Sequence, residues 1–401
     1  MFTGKVVCLG ALLCAAGVFA QSSISRPDDE PDTAASALRD PVAYVYVSIT
    51  PAHSSVNEIV AYAAAANGRL TPVPGSPFTA DVTSMAVNGL YLFGSNVNGV
   101  NVDTYAVESS GALTLVNQTD VAGFNSGDCG ITGPLFLDHT GHTLYDMEYY
   151  GNSCANNQYA SFHVATSTGA LTNMGAGAYS SWLYQPASFI GNNKFAYSAS
   201  CIGDMDWTIF GLKRSSSGLL SSMSNFSAPL PAPRTGDFYC PSQVAADPTN
   251  HVAIALQPVT QNTFAPDGGP QIGSFTAAAN GDLSTTNTSA DMPESKVGTA
   301  LSMSMAPSGK LLAVGGSGGL QIFHFRGPAP PTAATGLLTG DEIDQMFWDH
   351  DHHLYAISTA KNRLFVFTIT PTHHSQAPGS PYTVEAPQAL AIQPWPLPWA
   401  K

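Results

Sequence analysis

The chain has 401 residues, of which 10% are charged, and its formal net charge is -14 at pH 7. Its 14 lysines and arginines form no stripe along the sequence, which excludes the basic surface typical of nucleic-acid-binding proteins. The 37 glycines and 29 prolines favour many short strands joined by tight turns in an exported protein.

The first 20 residues have the pattern of a secretory signal peptide. Lys5 precedes an apolar run from Val6 to Phe19, and small residues precede a cleavage point predicted after Ala20. The run is shorter than the roughly 20 apolar residues that a membrane-spanning helix needs. No later run is long enough either. We therefore predict a secreted or periplasmic protein that does not span a membrane.

The segment after the signal is polar, acidic and rich in proline, serine and alanine. Such a composition buries too little apolar surface to order itself. We predict a disordered tether over residues 21–41, a single large domain over residues 42–396 and a short tail over residues 397–401.

A short phrase, Gly-x-Leu followed by Thr or Ser, recurs along the domain. Its glycines are 43 to 63 residues apart, which is the length of one four-stranded sheet with variable loops. We expect each glycine to occupy a turn between the third and fourth strands of a sheet, and each leucine to pack between sheets. The glycines are Gly68, Gly111, Gly169, Gly218, Gly281 and Gly336.

Each repeat divides into four strands by its alternation of apolar residues. In the sixth repeat the fourth strand is predicted over Gly336–Leu338. The predicted inner strands of the second to seventh repeats are Val82–Val87, Ile131–Leu137, Gln185–Ile190, Ser242–Ala246, Ala300–Met305 and Gln345–Trp348.

The first repeat lacks an inner strand of its own. Its predicted strands Ala43–Ile49 and Glu58–Ala63 follow directly on the tether, whereas Ala389–Gln393 is left over at the other end. Pairing that last strand with the first repeat removes an exposed sheet edge. The sequence thus predicts an all-β fold, a seven-bladed β-propeller whose ring is closed by the C-terminal strand.

At this point the residues resemble a known family, the lactonase-like seven-bladed β-propellers that include the propeller-type 6-phosphogluconolactonases. The resemblance covers Val42 to about Pro396 and is carried by the Gly-x-Leu-Thr phrases, by Tyr44-Val45-Tyr46-Val47 with Ile59-Val60-Ala61-Tyr62, and by Gly75-Ser76-Pro77-Phe78. It implies hydrolysis of a sugar lactone at the central mouth of the propeller.

Members of this family commonly carry a Pro-His pair at the start of several inner strands. The matching positions here have no histidine, so no catalytic residue of the family is carried over. They read Thr83-Ser84, Gln185-Pro186-Ala187, Pro241-Ser242-Gln243, Gly298-Thr299-Ala300, Ile343-Asp344-Gln345 and Pro387-Gln388-Ala389.

Four cysteines remain after removal of the signal, and all four map to loops at the predicted mouth. An even count in an exported protein indicates two disulfides, with three pairings possible. The loop positions favour Cys129–Cys154 within one blade and Cys201–Cys240 between neighbouring blades. Their expected role is to join long loops.

The same mouth collects carboxylates, aromatic residues and one arginine. Opening a lactone needs a base that activates water and a cation that holds the developing oxyanion. We predict Glu148 or Asp237 as the base and Arg234 as the clamp. The predicted substrate-binding residues are Asp128, Tyr149, Tyr150, Asp206, Trp207 and Tyr239. The alternative is that these are solvated loop charges and turn caps.

We predict neither a metal nor a cofactor. Trp348-Asp349-His350-Asp351-His352-His353 has the residue types of a metal site, but it occupies a turn on the face opposite the mouth. Gly315-Gly316-Ser317-Gly318-Gly319 is interpreted as a hairpin, because no helix follows it to form a phosphate loop.

The predicted function is hydrolysis of a lactone or a related sugar-derived ester by an exported monomer. The partner is therefore a small-molecule lactone or carbohydrate. The alternative is a non-catalytic propeller that binds a carbohydrate or a protein in the cell envelope. Substrate identity and catalytic activity are left open by the sequence.

Overall fold

The structure is a computed structural model that describes residues 41–121, 130–150, 156–180, 183, 185–202, 206–263, 265–350 and 352–395. The predicted signal, almost all of the tether, the tail, Asp128, Cys129 and Cys154 lie outside these residues. The described residues form strands and turns without an α-helix, so none of them belongs to a helix long and apolar enough to cross a bilayer.

The strands of the first half are, in chain order, β1 (Ala43–Ile49), β2 (Glu58–Ala64), β3 (Leu70–Pro72), β4 (Phe78–Thr79), β5 (Val82–Val87), β6 (Tyr91–Asn96), β7 (Asn101–Val107), β8 (Leu113–Asp120), β9 (Gly130–Ile131), β10 (Leu135–Leu137), β11 (Thr143–Tyr150), β12 (Asn156–Val164), β13 (Leu171–Ser180), β14 (Ser188–Phe189), β15 (Phe195–Ile202), β16 (Asp206–Arg214) and β17 (Leu220–Ser227).

The strands of the second half are β18 (Asp237–Ala246), β19 (His251–Thr260), β20 (Gln271–Ala277), β21 (Leu283–Ser284), β22 (Ala300–Met305), β23 (Leu311–Gly316), β24 (Gly319–Arg326), β25 (Ala329–Thr339), β26 (Gln345–Trp348), β27 (His353–Ser358), β28 (Arg363–Thr370), β29 (His373–Gln376), β30 (Tyr382–Thr383) and β31 (Pro387–Pro394).

The strands make six sheets, and most sheets follow the order of the chain. The C-terminal strand β31 is the exception, because it pairs antiparallel with β1 along its length, with Val45 opposite Ile392. This is the partner that the sequence predicted for β1. The first sheet packs against the second through one apolar cluster and against the sheet of β26–β30 through another.

One of the six sheets has nine strands, because the third and fourth predicted sheets are joined. The junction is a single parallel pair, Gly177 of β13 with Ser221 of β17. A Cβ on Gly177 would lie 2.6 Å from the carbonyl oxygen of Leu220, so glycine is what lets the two outer strands approach. On either side of the junction the remaining order is antiparallel, as in the other sheets.

The repeated phrase has its predicted role in five of its six copies. The glycines of these copies have φ between 69° and 107°, which favours glycine. The leucine two residues on is buried in each case, at Leu70, Leu113, Leu171, Leu220 and Leu283.

The strands of the preceding repeat pack directly onto these turns. Tyr46, Tyr145 and Tyr197 each donate a hydrogen bond to the carbonyl of a turn glycine in the next repeat, at 2.9, 2.7 and 2.6 Å. The turn thus fixes both the hairpin and the spacing between sheets.

The prediction for the sixth copy is wrong. Gly336 lies inside β25, and Leu337 is 42% exposed. The turn lies nine residues earlier at Gly327, whose φ is 62°. The local phrase matched the repeat, but pairing of Arg326 with Ala329 placed the hairpin earlier and lengthened the outer strand.

Candidate active site

The inner strands surround a cavity of ≈ 580 Å³. Its walls come from β5, β10, β18, β22 and β26 and from the segment around β14. Asp344 is the only charged side chain among the lining residues. The other polar lining residues are Thr83, Ser84, Gln185, Ser188, Gln243, Ser302, Ser304 and Gln345. Such a surface presents hydrogen-bond donors and acceptors with little net charge.

Four of the six segments that were matched to the Pro-His pairs contribute to the cavity lining, and the segments 298–300 and 387–389 do not. The lining residues from the four are Thr83, Ser84, Gln185, Pro186, Ala187, Gln243, Asp344 and Gln345. Gln345 is engaged within the protein, since its side chain accepts a hydrogen bond from the amide of Leu390 at 3.0 Å and donates one to the carbonyl of Gln388 at 3.1 Å. Asp344 accepts a hydrogen bond from the amide of Thr359 at 2.8 Å. At these positions the cavity wall has no imidazole to act as a base.

A buried pair of carboxylates lies behind the cavity wall on β11. Asp146 and Glu148 are two residues apart on one strand, so both project from the same face, and they are 0% and 1% exposed. Asp146 Oδ1 accepts a hydrogen bond at 2.9 Å from the amide of Gly133, and Gly133 itself lines the cavity. Asp146 thus contacts the backbone of a residue that lines the cavity.

The pKa of Glu148 lies close to neutral pH. Gln158 donates a hydrogen bond to Glu148 Oε2 at 2.7 Å, while the buried Oε1 accepts none. Burial raises the pKa of Glu148 from 4.5 to about 7, and the hydrogen bond from Gln158 opposes that rise. A carboxyl group with this pKa can exchange a proton with water at physiological pH.

Burial, and after it the nearby charge of Glu148, hold the pKa of Asp146 well above its usual range. Asp146 Oδ2 has no hydrogen-bond partner in the described structure. Burial of two carboxyl groups close together disfavours ionisation of both at once.

Arg234, Asp237 and Tyr239 form a second group beside β18. The amide of Asp237 donates to the carbonyl of Arg234 at 3.1 Å, which closes a turn directly before the strand. The Arg234 guanidinium lowers the pKa of Tyr239 and Asp237 raises it, against a larger rise from burial. These three predicted residues therefore act on one another.

The structure gives Arg234 and Glu148 different partners. The ion pair of Arg234 is with Glu294, at 3.9 Å with both side chains 48% exposed, whereas Glu148 bonds Gln158 on β12. Tyr239 bonds Gln271 and belongs to an apolar cluster. The predicted clamp and the first predicted base thus lie in different sheets.

The remaining predicted residues are placed as follows. Tyr149 of β11 packs at the edge of an apolar cluster. Tyr150 ends β11, Asp206 and Trp207 begin β16, and the side chains of these three lie outside the described part of the structure.

Cys201 of β15 and Cys240 of β18 form a disulfide, as predicted, with their Cα atoms 5.1 Å apart. The bond joins two neighbouring sheets beside the Arg234 turn.

The histidine-rich turn before β27 contains a buried contact between an imidazole and a carboxylate. His353 Nδ1 lies 2.6 Å from Asp349 Oδ2, and Asp349 also accepts hydrogen bonds from the amides of His352 and His353. Over the described residues, no group of three or more His, Cys, Asp or Glu side chains has the geometry to hold a metal. His373 and His374 lie exposed on the outer strand β29.

Comparison with solved structures identifies the fold. The periplasmic gluconolactonase PpgL of Pseudomonas aeruginosa matches with a TM-score of 0.63 at 15% identity, over 88% of this chain and 99% of that one. A candidate 6-phosphogluconolactonase from Bacteroides fragilis matches with a TM-score of 0.61 at 13% identity, over 87% and 97% of the two chains. The chain has the fold of the propeller-type lactonases.

A β-propeller domain of Myceliophteria thermophila Cps50 (Swd1) also matches, with a TM-score of 0.50 at 11% identity over 77% of this chain and 88% of that one. No profile of a known protein family and no curated protein sequence matches this chain. At these identities the likeness establishes the fold, and activity has to be argued from the site.

Sequence reasoning missed Asp146. The signal was present in Thr143-Leu144-Tyr145-Asp146-Met147-Glu148, where two carboxylates alternate with apolar residues in a predicted strand. On a solvated strand this pattern is unremarkable. Here both faces of β11 are buried between sheets, so the carboxylates are buried as well.

Proposed function

We propose that this protein is an exported, lactonase-like β-propeller that hydrolyses a lactone or a related sugar-derived ester at the mouth of its central cavity. The observation that carries the proposal is the buried Glu148, whose pKa is raised to about 7, on a strand hydrogen-bonded to the cavity wall. The fold shared with a periplasmic gluconolactonase supports the reaction class.

The proposed architecture is a ring of seven blades. The single pair Gly177 with Ser221 joins what would otherwise be two antiparallel sheets, and dividing the nine strands there yields seven units in all. Pairing of β1 with β31 supports closure of the ring through the first blade.

In the proposed reaction, the ionised Glu148 accepts a proton from a water molecule as the water oxygen attacks the lactone carbonyl carbon. The bond between that carbon and the ring oxygen then breaks. As that bond breaks, Glu148 passes the proton that it received to the ring oxygen and is ionised again. The product is an open-chain hydroxy acid, whose carboxyl group releases a proton to solvent. Arg234, with Asp237 and Tyr239, is proposed to bind the substrate and the carboxylate that forms.

A panel of sugar lactones assayed by acid release at constant pH tests this. We expect Glu148→Gln to lower kcat at least about 100-fold, since general base catalysis contributes that much, and Arg234→Ala to raise KM more than it lowers kcat. The wild-type rate should rise with pH through an apparent pKa near 7. Glu108→Gln, an exposed carboxylate on an outer turn, is the control.

The proposal fails if the wild-type protein opens no lactone of the panel, or if Glu148→Gln retains the wild-type rate and pH profile.

A second candidate function is carbohydrate binding without hydrolysis. The nearly uncharged polar lining of the cavity, together with Phe347, which is 42% exposed there, favours it. Three results together would establish this function instead. The protein would release no acid from any lactone, it would bind a neutral sugar saturably, and that binding would be abolished by Gln243→Ala and unchanged by Glu148→Gln.

Export is proposed from the signal pattern, with the Cys201–Cys240 disulfide as support, because such bonds persist in oxidising compartments. Mass spectrometry of the protein recovered outside the cytoplasm tests it. The mature chain should begin at Gln21.

A further inference from the structure

A second cavity, of ≈ 680 Å³, lies among the turns that join the strands of three neighbouring sheets. The turns are 247–249 between β18 and β19, 308–310 between β22 and β23, 326–327 between β24 and β25, and 371–372 between β28 and β29. Its volume falls within the roughly 300–1,000 Å³ of small-molecule sites. None of its residues belongs to the proposed hydrolytic site.

The cavity gathers basic groups in a protein that has few of them. Lys310, His324 and Arg326 line it, although the chain has only 14 lysines and arginines and a net charge of -14. Neither Lys310 nor Arg326 forms an ion pair with any described residue. Their charges are therefore available to a ligand.

Asp247, the one acidic residue among those that line the cavity, already has hydrogen-bond partners. Asp247 is 5% exposed and accepts hydrogen bonds from the amides of Thr249 and His251, both at 2.9 Å, and from the Thr249 hydroxyl at 2.7 Å. The His251 ring lies 3.2 Å from Asp247 Oδ2. These contacts hold the Asp247 carboxylate within its own turn. It therefore does not compete with a ligand for Lys310 and Arg326.

The walls of the cavity are preformed by close contacts between sheets. A Cβ on Gly309 would lie 2.7 Å from Pro248 Cδ, and a Cβ on Gly327 would lie 3.1 Å from His251 Cε1. Both glycines have positive φ, at 67° and 62°. The turns that present Lys310 and Arg326 are therefore held against the neighbouring turn, which lowers the entropic cost of binding.

We propose that this cavity is an anion-binding site that takes a phosphate or sulfate ester carried on a small polar molecule. Arg326 offers a planar donor fork to two ester oxygens, Lys310 offers a point charge, and His324 and the Thr372 hydroxyl supply further donors. The volume exceeds what an inorganic ion fills, which indicates an organic carrier such as a monosaccharide.

Isothermal titration calorimetry on the full mature protein tests the site. The probes are inorganic phosphate, inorganic sulfate, glucose 6-phosphate, glucose 6-sulfate and, as the uncharged comparison, glucose. We expect saturable binding of one ester, tighter than its inorganic ion, and weaker binding at higher salt because the attraction is electrostatic. No binding of glucose is expected. The ester that binds more tightly shows whether the site prefers a phosphate or a sulfate group.

Lys310→Gln and Arg326→Gln should each weaken ester binding by about tenfold, as expected for loss of one charged hydrogen bond. Lys194→Gln is the matched control, because Lys194 occupies the equivalent position directly before the second strand of its repeat, as Lys310 precedes β23, and does not line the cavity. All three side chains are exposed, so their replacement should leave the unfolding midpoint unchanged.

Three results would overturn the proposal. The first is equal affinity of Lys310→Gln, Arg326→Gln and the wild type. The second is an equal loss in Lys194→Gln, which would mean a general charge effect. The third is the absence of saturable ester binding by the wild type. Hydrolysis of lactones at the other site does not affect any of these outcomes.

Discussion

At the scale of single residues, the same physical effect, burial, decides which carboxylates matter. Asp247 and Asp349 are buried beside imidazoles and backbone amides, and they serve as turn anchors. Asp146 and Glu148 are buried with few partners, and their pKa values rise. A carboxylate with satisfied hydrogen bonds stabilises a turn, whereas one short of partners retains a proton and can take part in acid–base chemistry.

The raised pKa of Glu148 predicts how stability depends on pH. Between pH 4.5 and about 7 the folded state keeps a proton that the unfolded state has released, so stability falls as pH rises through this window and levels off above it. Asp146 contributes in the same direction. Replacing Glu148 by Gln removes its share, up to about 3 kcal/mol in free energy of unfolding between the two ends of the window.

Urea unfolding of the wild type and Glu148→Gln across this pH range measures the effect. The free energy of unfolding of Glu148→Gln, relative to that of the wild type, should increase as pH rises. A difference that stays constant with pH would show that Glu148 is not buried as described.

Two glycines with positive φ, Gly111 in a turn and Gly175 within β13, allow the steric cost of a Cβ to be separated from the cost of the backbone conformation. Gly111 has φ 82°, and a Cβ there would lie 2.3 Å from Tyr44 Cδ1, whereas Gly175 has φ 98° and nothing within 4 Å. We expect Gly111→Ala to lower the free energy of unfolding by about 3 kcal/mol or more and Gly175→Ala by only about 1 kcal/mol. Equal losses in chemical denaturation would contradict the close packing of neighbouring sheets at this turn.

At the scale of elements, strand length and strand partners depart from the repeat where the backbone allows it. β25 extends over 11 residues because its hairpin turns at Gly327, and β13 reaches the neighbouring sheet because Gly177 has no side chain. The phrase Gly-Ser-Pro occurs at Gly75-Ser76-Pro77 and again at Gly379-Ser380-Pro381, and the two copies make the same contact. In each, the serine hydroxyl accepts a hydrogen bond from a strand amide at 2.9 Å, from Ala61 and from Val366.

The disulfide between β15 and β18 predicts a loss of stability on its removal. Cys201 and Cys240 are 39 residues apart, and the chain-entropy account of a closed loop of this length gives about 4 kcal/mol. The double variant Cys201→Ser/Cys240→Ser should therefore unfold at lower urea concentration, with a slope no smaller than that of the wild type because its unfolded chain is less constrained. An unchanged midpoint would mean that the two strands are held together equally well without the bond.

At the scale of the whole molecule, the two ends of the described chain meet in one sheet. All seven residues of β1 are buried between β2 and β31. An apolar strand of this kind exposes a row of unpaired amides and carbonyls if its partner is removed, which favours aggregation.

Deletion of residues 387–401, which removes β31, should therefore abolish soluble folding. Deletion of residues 397–401 alone leaves β31 in place and serves as the control. Solubility and a cooperative thermal transition are the measurements. Adding a peptide of residues 387–396 should restore part of the soluble protein. A soluble, cooperatively folding 387–401 deletion would contradict the proposed closure of the ring by this strand.

The sequence by itself determined the local and periodic features. The positive φ at Gly68, Gly111, Gly169, Gly218 and Gly281, the burial of the following leucines, and the bounds of strands such as β1 and β5 were all predictable. These features depend on backbone preference and on apolar alternation, which repeat in every copy. Pairing of the last strand with β1 was predictable for a related reason, since one strand was missing and one was left over.

Only the tertiary structure decided what depends on neighbours distant in sequence. The misplaced sixth turn, the junction at Gly177, the burial of Asp146 beside Glu148 and the meeting of Lys310 with Arg326 all depend on which backbones come close. Arg234 lies in the turn before β18 and Glu148 lies on β11, and only the fold decided that their partners are Glu294 and Gln158. The chemistry of a side chain depends on its burial and on its distances to other groups, and neither can be read from the order of residues in the chain.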